Sequence, residues 1–253
     1  MIYSILGSLF VANDGEEVRI PTPRLRAALA LLLLQNGQPL SIDGFIDGLW
    51  GDSPPKTARA QVHTIVCRLR QALPPDVQPL LTAGQGTYRL RCQPGEIDAV
   101  RFSEALGKAR GAVGGQDSAD SIPLLRTALG LWRGQVLCGV EAPFAVAARV
   151  RLAEERRVAY EVLADLELAR SNHTAVIPEL ASLLAVHPYW ENIAARLSLA
   201  LYRGGRQADA LAVVGTMRRR LADDLGIYLS AGLRELEAAI LRHDVPAAIV
   251  PVL

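Results

Sequence analysis

The residues that most constrain the fold are 54–73, PPKTARAQVHTIVCRLRQAL. Val62, Val66, Leu69 and Leu73 recur at steps of four, three and four, with Ile65 beside them. That period makes the buried stripe of a helix. Pro54 and Pro55 suit a helix entry, where a missing N–H costs little, so one helix is expected over residues 54–73. Its other face carries Ala60, Gln61, Thr64, Cys67, Arg68 and Gln71, flanked by Arg59, His63 and Arg70. Small and amide side chains around a central arginine fit a DNA major groove. No acidic residue stands between Lys56 and Leu73 to repel phosphate. An ordinary surface helix with a solvated basic face has the same pattern, so the neighbouring segments decide.

Upstream, residues 2–20 read as a small antiparallel sheet. Two short apolar runs and the turn signal Asn13-Asp14-Gly15 are followed by Val18 and Ile20 in alternation with charge. Thr22-Pro23 predicts a capped helix reaching Gln35, ended by Asn36-Gly37. Ser41 predicts the cap of a second helix, with Asp43 near its positive end and Ile42, Phe45, Ile46, Leu49 and Trp50 on its apolar face. Gly51, Asp52, Ser53, Pro54, Pro55 and Lys56 form a stiff connection. Downstream, Leu80-Leu81-Thr82 and residues 87–92 are expected to be the arms of a hairpin turning at Ala83-Gly84-Gln85-Gly86. Tyr88, Leu90 and Cys92 then share one side, and Arg89 and Arg91 the other. Sheet, three helices, hairpin is the order of a winged helix-turn-helix.

Charge supports this reading. The chain's formal net charge is only +1. Residues 1–53 hold three basic against six acidic side chains, whereas residues 54–91 hold six basic against Asp76 alone. The last 156 residues balance at 18 each. A basic segment inside a neutral chain is a local electrostatic footprint, and nucleic acid is its commonest partner; chance clustering of arginine is the plain alternative. The three cysteines, Cys67, Cys92 and Cys138, lie far apart, which fits neither a metal motif nor a disulfide framework and suits a reducing cytoplasm. No run reaches membrane-span length, and MIYSILGSLF lacks the basic start of a signal peptide.

Residues 98–253 read as almost entirely helical, with breaks at Gly114-Gly115, Gly139, Ser171-Asn172, Pro188 and Gly204-Gly205. Leu197, Leu201, Gly205, Ala210 and Val214 fall in the order of a tetratricopeptide motif. Counting back 33 residues puts Asn172 at the turn, Leu168 at the position of Leu201 and Ile177 at that of Ala210. A weaker pair spans roughly 99–133, and a non-repetitive helical domain remains the alternative. The expected fold is therefore mainly α: a winged helix-turn-helix domain over 1–97, with a small β-sheet and a wing hairpin, then a tetratricopeptide-like helical repeat domain over 98–253.

The chain resembles the Streptomyces antibiotic regulatory protein family, in which an OmpR-like winged helix precedes a bacterial transcriptional activator domain. The segments carrying the resemblance are ALALLLL at 28–34, SIDGFIDGLWGDSPPKTAR at 41–59, VCRLRQAL at 66–73, YRL at 88–90, ALGLWRG at 128–134, APF at 142–144, HP at 187–188, LALYRGGRQADALAV at 199–213 and LADDLGI at 221–227. The resemblance implies a cytoplasmic, nucleoid-associated activator of secondary-metabolite (antibiotic) genes. It implies binding to direct repeats in double-stranded promoter DNA, two protomers side by side, and recruitment of RNA polymerase holoenzyme. Arg68 matches the base-reading arginine, and an arginine–guanine pair suits the groove. Ala60, Gln61 and Thr64 join it on the base-reading face. Arg59, His63 and Arg70 fall where phosphate contacts fix register, although Arg70 equally suits a pairing with an acidic residue elsewhere in its domain. Gln85, Thr87, Arg89 and Arg91 mark the wing. Residues 51–56 match the loop that faces the polymerase sigma factor; stiffening of a helix connection is the plain reading of its two prolines. Two departures stand out: the wing turn lacks the family's minor-groove arginine, and Ala60 replaces a polar residue.

An enzyme is not expected. The sequence has no HExxH, no GxSxG, no Cys/His metal spacing and no GxxxxGK[ST], so no catalytic residue, metal or cofactor is assigned. The competing class is a tetratricopeptide-type adaptor that holds a peptide or metabolite and binds DNA weakly.

Overall fold

The structure, a computed structural model, describes residues 1–112 and 118–245. The break expected at Gly114-Gly115 lies outside the described residues. The chain is mainly helical. Strands β1 (Ile2–Ser4), β2 (Phe10–Asn13) and β3 (Glu16–Glu17) pair antiparallel in that order. The turn between β2 and β3 holds Asp14 and Gly15 at φ 49 and 88, the left-handed pair that an Asp-Gly turn supplies cheaply. Helix α1 (Pro23–Leu34) starts where Thr22 Oγ1 accepts the Leu25 N–H at 3.3 Å. Strand β4 (Leu40–Ser41) leads into α2 (Ile42–Trp50), whose cap is the Ser41 hydroxyl accepting from Gly44 N–H at 2.9 Å. Helix α3 (Ala58–Ala72) follows, then β5 (Leu81–Gly84) and β6 (Thr87–Leu90).

Three details differ from the sequence expectation. Helix α3 begins at Ala58, not Pro54: Pro54 precedes a proline, which pushes it out of the helical region, and Thr57, at φ −97 and ψ 17, takes the cap position. The Ala58 N–H instead closes a turn onto the Pro55 carbonyl at 2.9 Å. Leu80 belongs to a 3₁₀ turn, Gln78–Leu80, and Ala83 and Gly84 continue β5, so the hairpin loop is only Gln85-Gly86. The hairpin is also not alone. Leu40 and Ser41 pair with Tyr88 and Thr87, giving a three-stranded sheet of order β4-β6-β5. Two residues of strand carry too little alternation to be visible in sequence.

The remaining elements are α4 (Asp98–Ala112), α5 (Ser118–Leu129), α6 (Pro143–Ala169), α7 (His173–Val186), α8 (Glu191–Arg203), α9 (Gln207–Arg220) and α10 (Ala231–Arg242). A π-helical turn, Leu221–Leu225, extends α9 and ends at Gly226 in the left-handed region, where glycine carries no Cβ penalty. The chain divides into two compact units, Met1–Gly107 with Thr127–Arg156, and Lys108–Arg126 with Arg157 onward.

In the first unit, residues 130–142 depart from the expected helix with a lone break at Gly139. They run as an irregular segment along the end of the N-terminal sheet. The Arg133 N–H donates to the Leu6 carbonyl at 2.7 Å and the Leu137 N–H to the Ile5 carbonyl at 3.0 Å. Arg149 gathers the carbonyls of Val136, Leu137 and Val140 at 2.7–3.0 Å. Buried Asp98 accepts from the N–H groups of Ile5 (2.8 Å), Leu6 (3.1 Å) and Ala99 (2.7 Å), which ties the start of α4 to the strand end. Burial pushes its carboxyl above the usual carboxylate range, and those three N–H groups and Arg133 pull it back. The ALGLWRG and APF segments thus belong to the anchor of this unit, with Trp132 set edge-on to Phe102 at 5.3 Å.

In the second unit the helices repeat. Helix α6 ends at Ala169 and α7 starts at His173; α8 ends at Arg203 and α9 starts at Gln207, so both landmarks recur at 34 residues. The turns match: Asn172 N–H bonds to the Glu167 carbonyl and Arg206 N–H to the Leu201 carbonyl, each at 2.9 Å. The 33-residue offset is therefore one residue short. Ser171 (φ 60), not Asn172, takes the place of Gly205 (φ 77), and Val176, not Ile177, that of Ala210. Val176 and Leu180 are buried like Ala210 and Val214, whereas Ile177 is only partly so. The sequence hides this register because serine, not glycine, holds the left-handed turn. Between α6 and α8 lies a buried ion pair, Arg196 on both oxygens of Asp165 at 2.9 Å.

Candidate nucleic-acid interface

The buried face of α3 consists of Ala58, Val62, Ile65, Val66 and Leu69, all at most 8% exposed. It packs against α1 and α2, which leaves the opposite face to solvent. On that face Ala60, Thr64, Cys67, Arg68 and Gln71 are exposed and Gln61 is half-buried. Gln61 Nε2 donates to Thr57 Oγ1 at 3.0 Å, and Thr64 Oγ1 donates back to the Ala60 carbonyl at 3.1 Å. Arg68 has no hydrogen bond or ion pair among the described residues. An exposed guanidinium that nothing holds keeps all five donors available, so Arg68 stands at the centre of the face with its chemistry unspent.

The three flanking residues each have a protein partner. Arg59 forms an ion pair with Asp43 of α2 at 2.6 Å, both largely exposed. Such a pair contributes little stability and yields readily to a competing anion. Arg70 is half-buried and donates to the Leu81 carbonyl at 2.7 Å, stitching the end of α3 to β5. That bond is to a backbone oxygen, not to an acidic side chain. His63 Nδ1 lies 2.5 Å from the Tyr88 hydroxyl of β6. Nothing in the sequence marks Asp43 or Tyr88 as a partner; Asp43 is legible there only as a residue that favours a helix N-terminus.

The hairpin is fixed to the helical core from two sides. Strand β6 sits between β4 and β5, and the Ile42 N–H at the start of α2 donates to the Gly86 carbonyl at 3.0 Å. Its loop takes Gln85 at φ 40 and Gly86 at φ 77. Thr87 Oγ1 closes onto the Gly84 carbonyl at 2.6 Å. Tyr88 and Leu90 are buried on one side as the two-residue period requires. Arg89 is half-buried with its Nε unpartnered, and Arg91 is exposed just past the strand. Gln85 is exposed at the tip.

Residues 51–56 are largely exposed, with Gly51 and Pro55 half-buried. Gly51 is at φ 57, and a Cβ there would stand 3.2 Å from Pro143 Cγ, so the loop is held close to the first turn of α6. Trp50, just before it, lies under the Arg24 guanidinium at 5.0 Å. Among the described residues, no cluster of His, Cys, Asp and Glu is placed to hold a metal ion, and no helix is long and apolar enough to cross a membrane.

Comparison with known proteins places this architecture. The family model "Bacterial transcriptional activator domain" matches residues 97–241. The regulatory protein AfsR of Streptomyces coelicolor is 41% identical over 243 residues, covering 96% of this chain and 24% of AfsR. The regulatory protein DnrI of Streptomyces peucetius is 30% identical over 253 residues, covering 96% of this chain and 93% of DnrI. A solved structure, Mycobacterium tuberculosis EmbR in complex with a low-affinity phosphopeptide, superposes with a TM-score of 0.90 at 34% identity, covering 97% of this chain and 66% of that one. The chain thus spans about a quarter of the length of AfsR and about two thirds of the EmbR chain. These relatives are named as regulators, not as enzymes. A winged helix-turn-helix with its hairpin, a 34-residue helical repeat and these matches together show that the chain belongs to the Streptomyces antibiotic regulatory protein family of transcriptional regulators.

Proposed function

We propose that the chain is a sequence-specific DNA-binding transcriptional activator of a secondary-metabolite gene cluster, acting in the cytoplasm at the nucleoid. It binds direct repeats near the promoter as two adjacent protomers, through residues 1–97. The observation that carries this reading is the exposed face of α3, with unpaired Arg68 at its centre. Arg68 reads a guanine through its paired donors. Gln61 takes a polar base edge, and Ala60 and Thr64 pack on thymine methyls. Arg59 exchanges Asp43 for a phosphate; His63 and Arg70 add backbone contacts. The wing residues Gln85, Thr87, Arg89 and Arg91 lie along the neighbouring backbone. Residues 51–56 face the polymerase holoenzyme at its sigma factor, and residues 98–253 form the activator portion.

Band shifts on the promoter of its own gene cluster and on a scrambled duplex, across a salt series, test the DNA reading. The expected result is preferential binding that falls steeply with salt, since each phosphate contact releases a counterion, with a two-protomer complex. Equal, weak binding to both duplexes refutes it. For the loop, Asp52→Ala and Lys56→Ala are expected to keep DNA affinity and lower transcription; unchanged transcription from both removes the polymerase-facing role.

One feature favours the adaptor reading. A groove of about 330 Å³ in the second unit is lined by Ala181, Leu184, Leu197, Val213, Met217 and Arg220. Its apolar floor with one cationic rim residue suits an acidic amphipathic peptide. That reading replaces the first if the protein shows no DNA preference and binds such a peptide.

A further inference from the structure

The contact between His63 and Tyr88 joins the exposed face of α3 to the hairpin across 25 residues of sequence. Tyr88 is 8% exposed and lies in the central strand, paired with Leu40 on one side and Ala83 on the other. Phe45 meets its ring edge-on at 5.8 Å, and the His63 ring lies 6.1 Å away at 73°. The phenol is therefore held from strand, helix and ring sides. Among the described residues its hydroxyl has one hydrogen-bond partner, His63 Nδ1 at 2.5 Å. If Nδ1–H donated to the phenol oxygen, the O–H would need another acceptor, and none stands within hydrogen-bond reach among the described residues. With the O–H donating to Nδ1, nothing is orphaned. The hydrogen bond made by one ring nitrogen decides which nitrogen carries the proton. The proton of the neutral ring then sits on Nε2, which has no protein partner among the described residues, on an exposed side chain.

We propose that Tyr88 is a positioning residue for His63: its O–H holds the neutral imidazole in the Nε2–H form and in one orientation, so that Nε2–H donates to a DNA backbone phosphate without the ring being charged. The phosphate contact rests on the DNA-binding reading above; the tautomer does not. The bond also couples the docking of α3 to the placement of the wing, because a hydroxyl on β6 holds a side chain of α3.

The test has two arms, both on the full chain. In the first, nitrogen–proton correlation spectra of the His63 ring are recorded without DNA, at alkaline pH, for the wild type and Tyr88→Phe. The wild type is expected to show a single Nε2–H tautomer, and Tyr88→Phe a mixture nearer that of free imidazole, with an unchanged melting temperature as the check on folding. A wild-type ring protonated on Nδ1, or identical tautomer populations in both proteins, overturns the proposal. In the second arm, DNA affinity is measured for Tyr88→Phe, His63→Ala and the double variant. Each single change is expected to weaken binding roughly three- to tenfold, the range of one hydrogen bond, and the double variant no further than His63→Ala. Additive losses would give Tyr88 its own contact with DNA and overturn the positioning role. Wild-type affinity in Tyr88→Phe overturns it as well. A wild-type protein that binds no DNA fails the functional reading and the phosphate contact together, while the spectra still decide the tautomer.

Discussion

Arg68 and Arg70 stand two residues apart on one helix, yet only Arg70 has a protein partner. The difference follows from helical geometry. Arg70 lies toward the edge where β5 begins and finds the Leu81 carbonyl; Arg68 lies on the outer face and finds solvent. The three cysteines divide in the same way. Cys67 and Cys138 are exposed, while burial pushes the Cys92 thiol up to about 12. Only the thiolate reacts, so at pH 8 Cys67 and Cys138 should be alkylated first in the native protein, with Cys92 protected until the chain unfolds. Mass mapping of a time course checks this, and early labelling of Cys92 would contradict it. At this scale the sequence names the solvent-exposed side of α3 but not its partners. Asp43, Tyr88 and the Leu81 carbonyl reach α3 through tertiary packing, which no local period encodes.

The elements are legible where a period or a cap marks them. Thr22 and Ser41 cap α1 and α2 as expected, and the burial of α3 follows its apolar stripe. They are hidden where neither signal exists: two-residue β4, the irregular segment 130–142 held by Asp98, Arg133 and Arg149, and the serine turn that displaces the repeat register. The wing loop tests how far local conformation matters. Gly86 is at φ 77, and a Cβ added there would meet nothing within 4 Å. The cost of Gly86→Ala is thus conformational, about 1 kcal/mol, and Gln85→Asn should offset part of it because asparagine accepts the left-handed region. Chemical melts of the two variants decide; a neutral Gly86→Ala would mean that the hairpin loop relaxes. In the second unit, Arg196 and Asp165 are at most 8% exposed and bonded through two parallel contacts. Removing one partner leaves a buried charge, so Arg196→Ala should destabilise by about 3–5 kcal/mol. A loss under about 1 kcal/mol in denaturant melts, the range of an exposed pair, would show that the pair is solvated.

For the whole molecule, charge segregation is the informative quantity. A chain of net charge +1 would not be attracted to DNA as a body. Of its basic residues over 54–91, Arg59, Arg68 and Arg70 stand on α3 and Arg89 on β6, with Lys56 and Arg91 just outside these elements, whereas part of the balanced charge of residues 98–253 is held in internal pairs, such as those of Arg126 with Glu167 and Glu179. Family membership and the helix order are legible because many short segments recur in one order along the chain. The anchoring of residues 127–156 within the first compact unit is not, since those contacts join positions more than 100 residues apart, as between Leu6 and Arg133.

If α3 reads bases through Arg68, the most direct measurement is sequence selection from a randomised duplex pool by the wild type and by Arg68→Ala. The variant should lose discrimination at one base pair, about 1–3 kcal/mol, while the rest of the selected site and the salt dependence persist. Uniform weakening on every sequence, with a shallower salt slope, would make Arg68 a phosphate contact and contradict base reading by this residue.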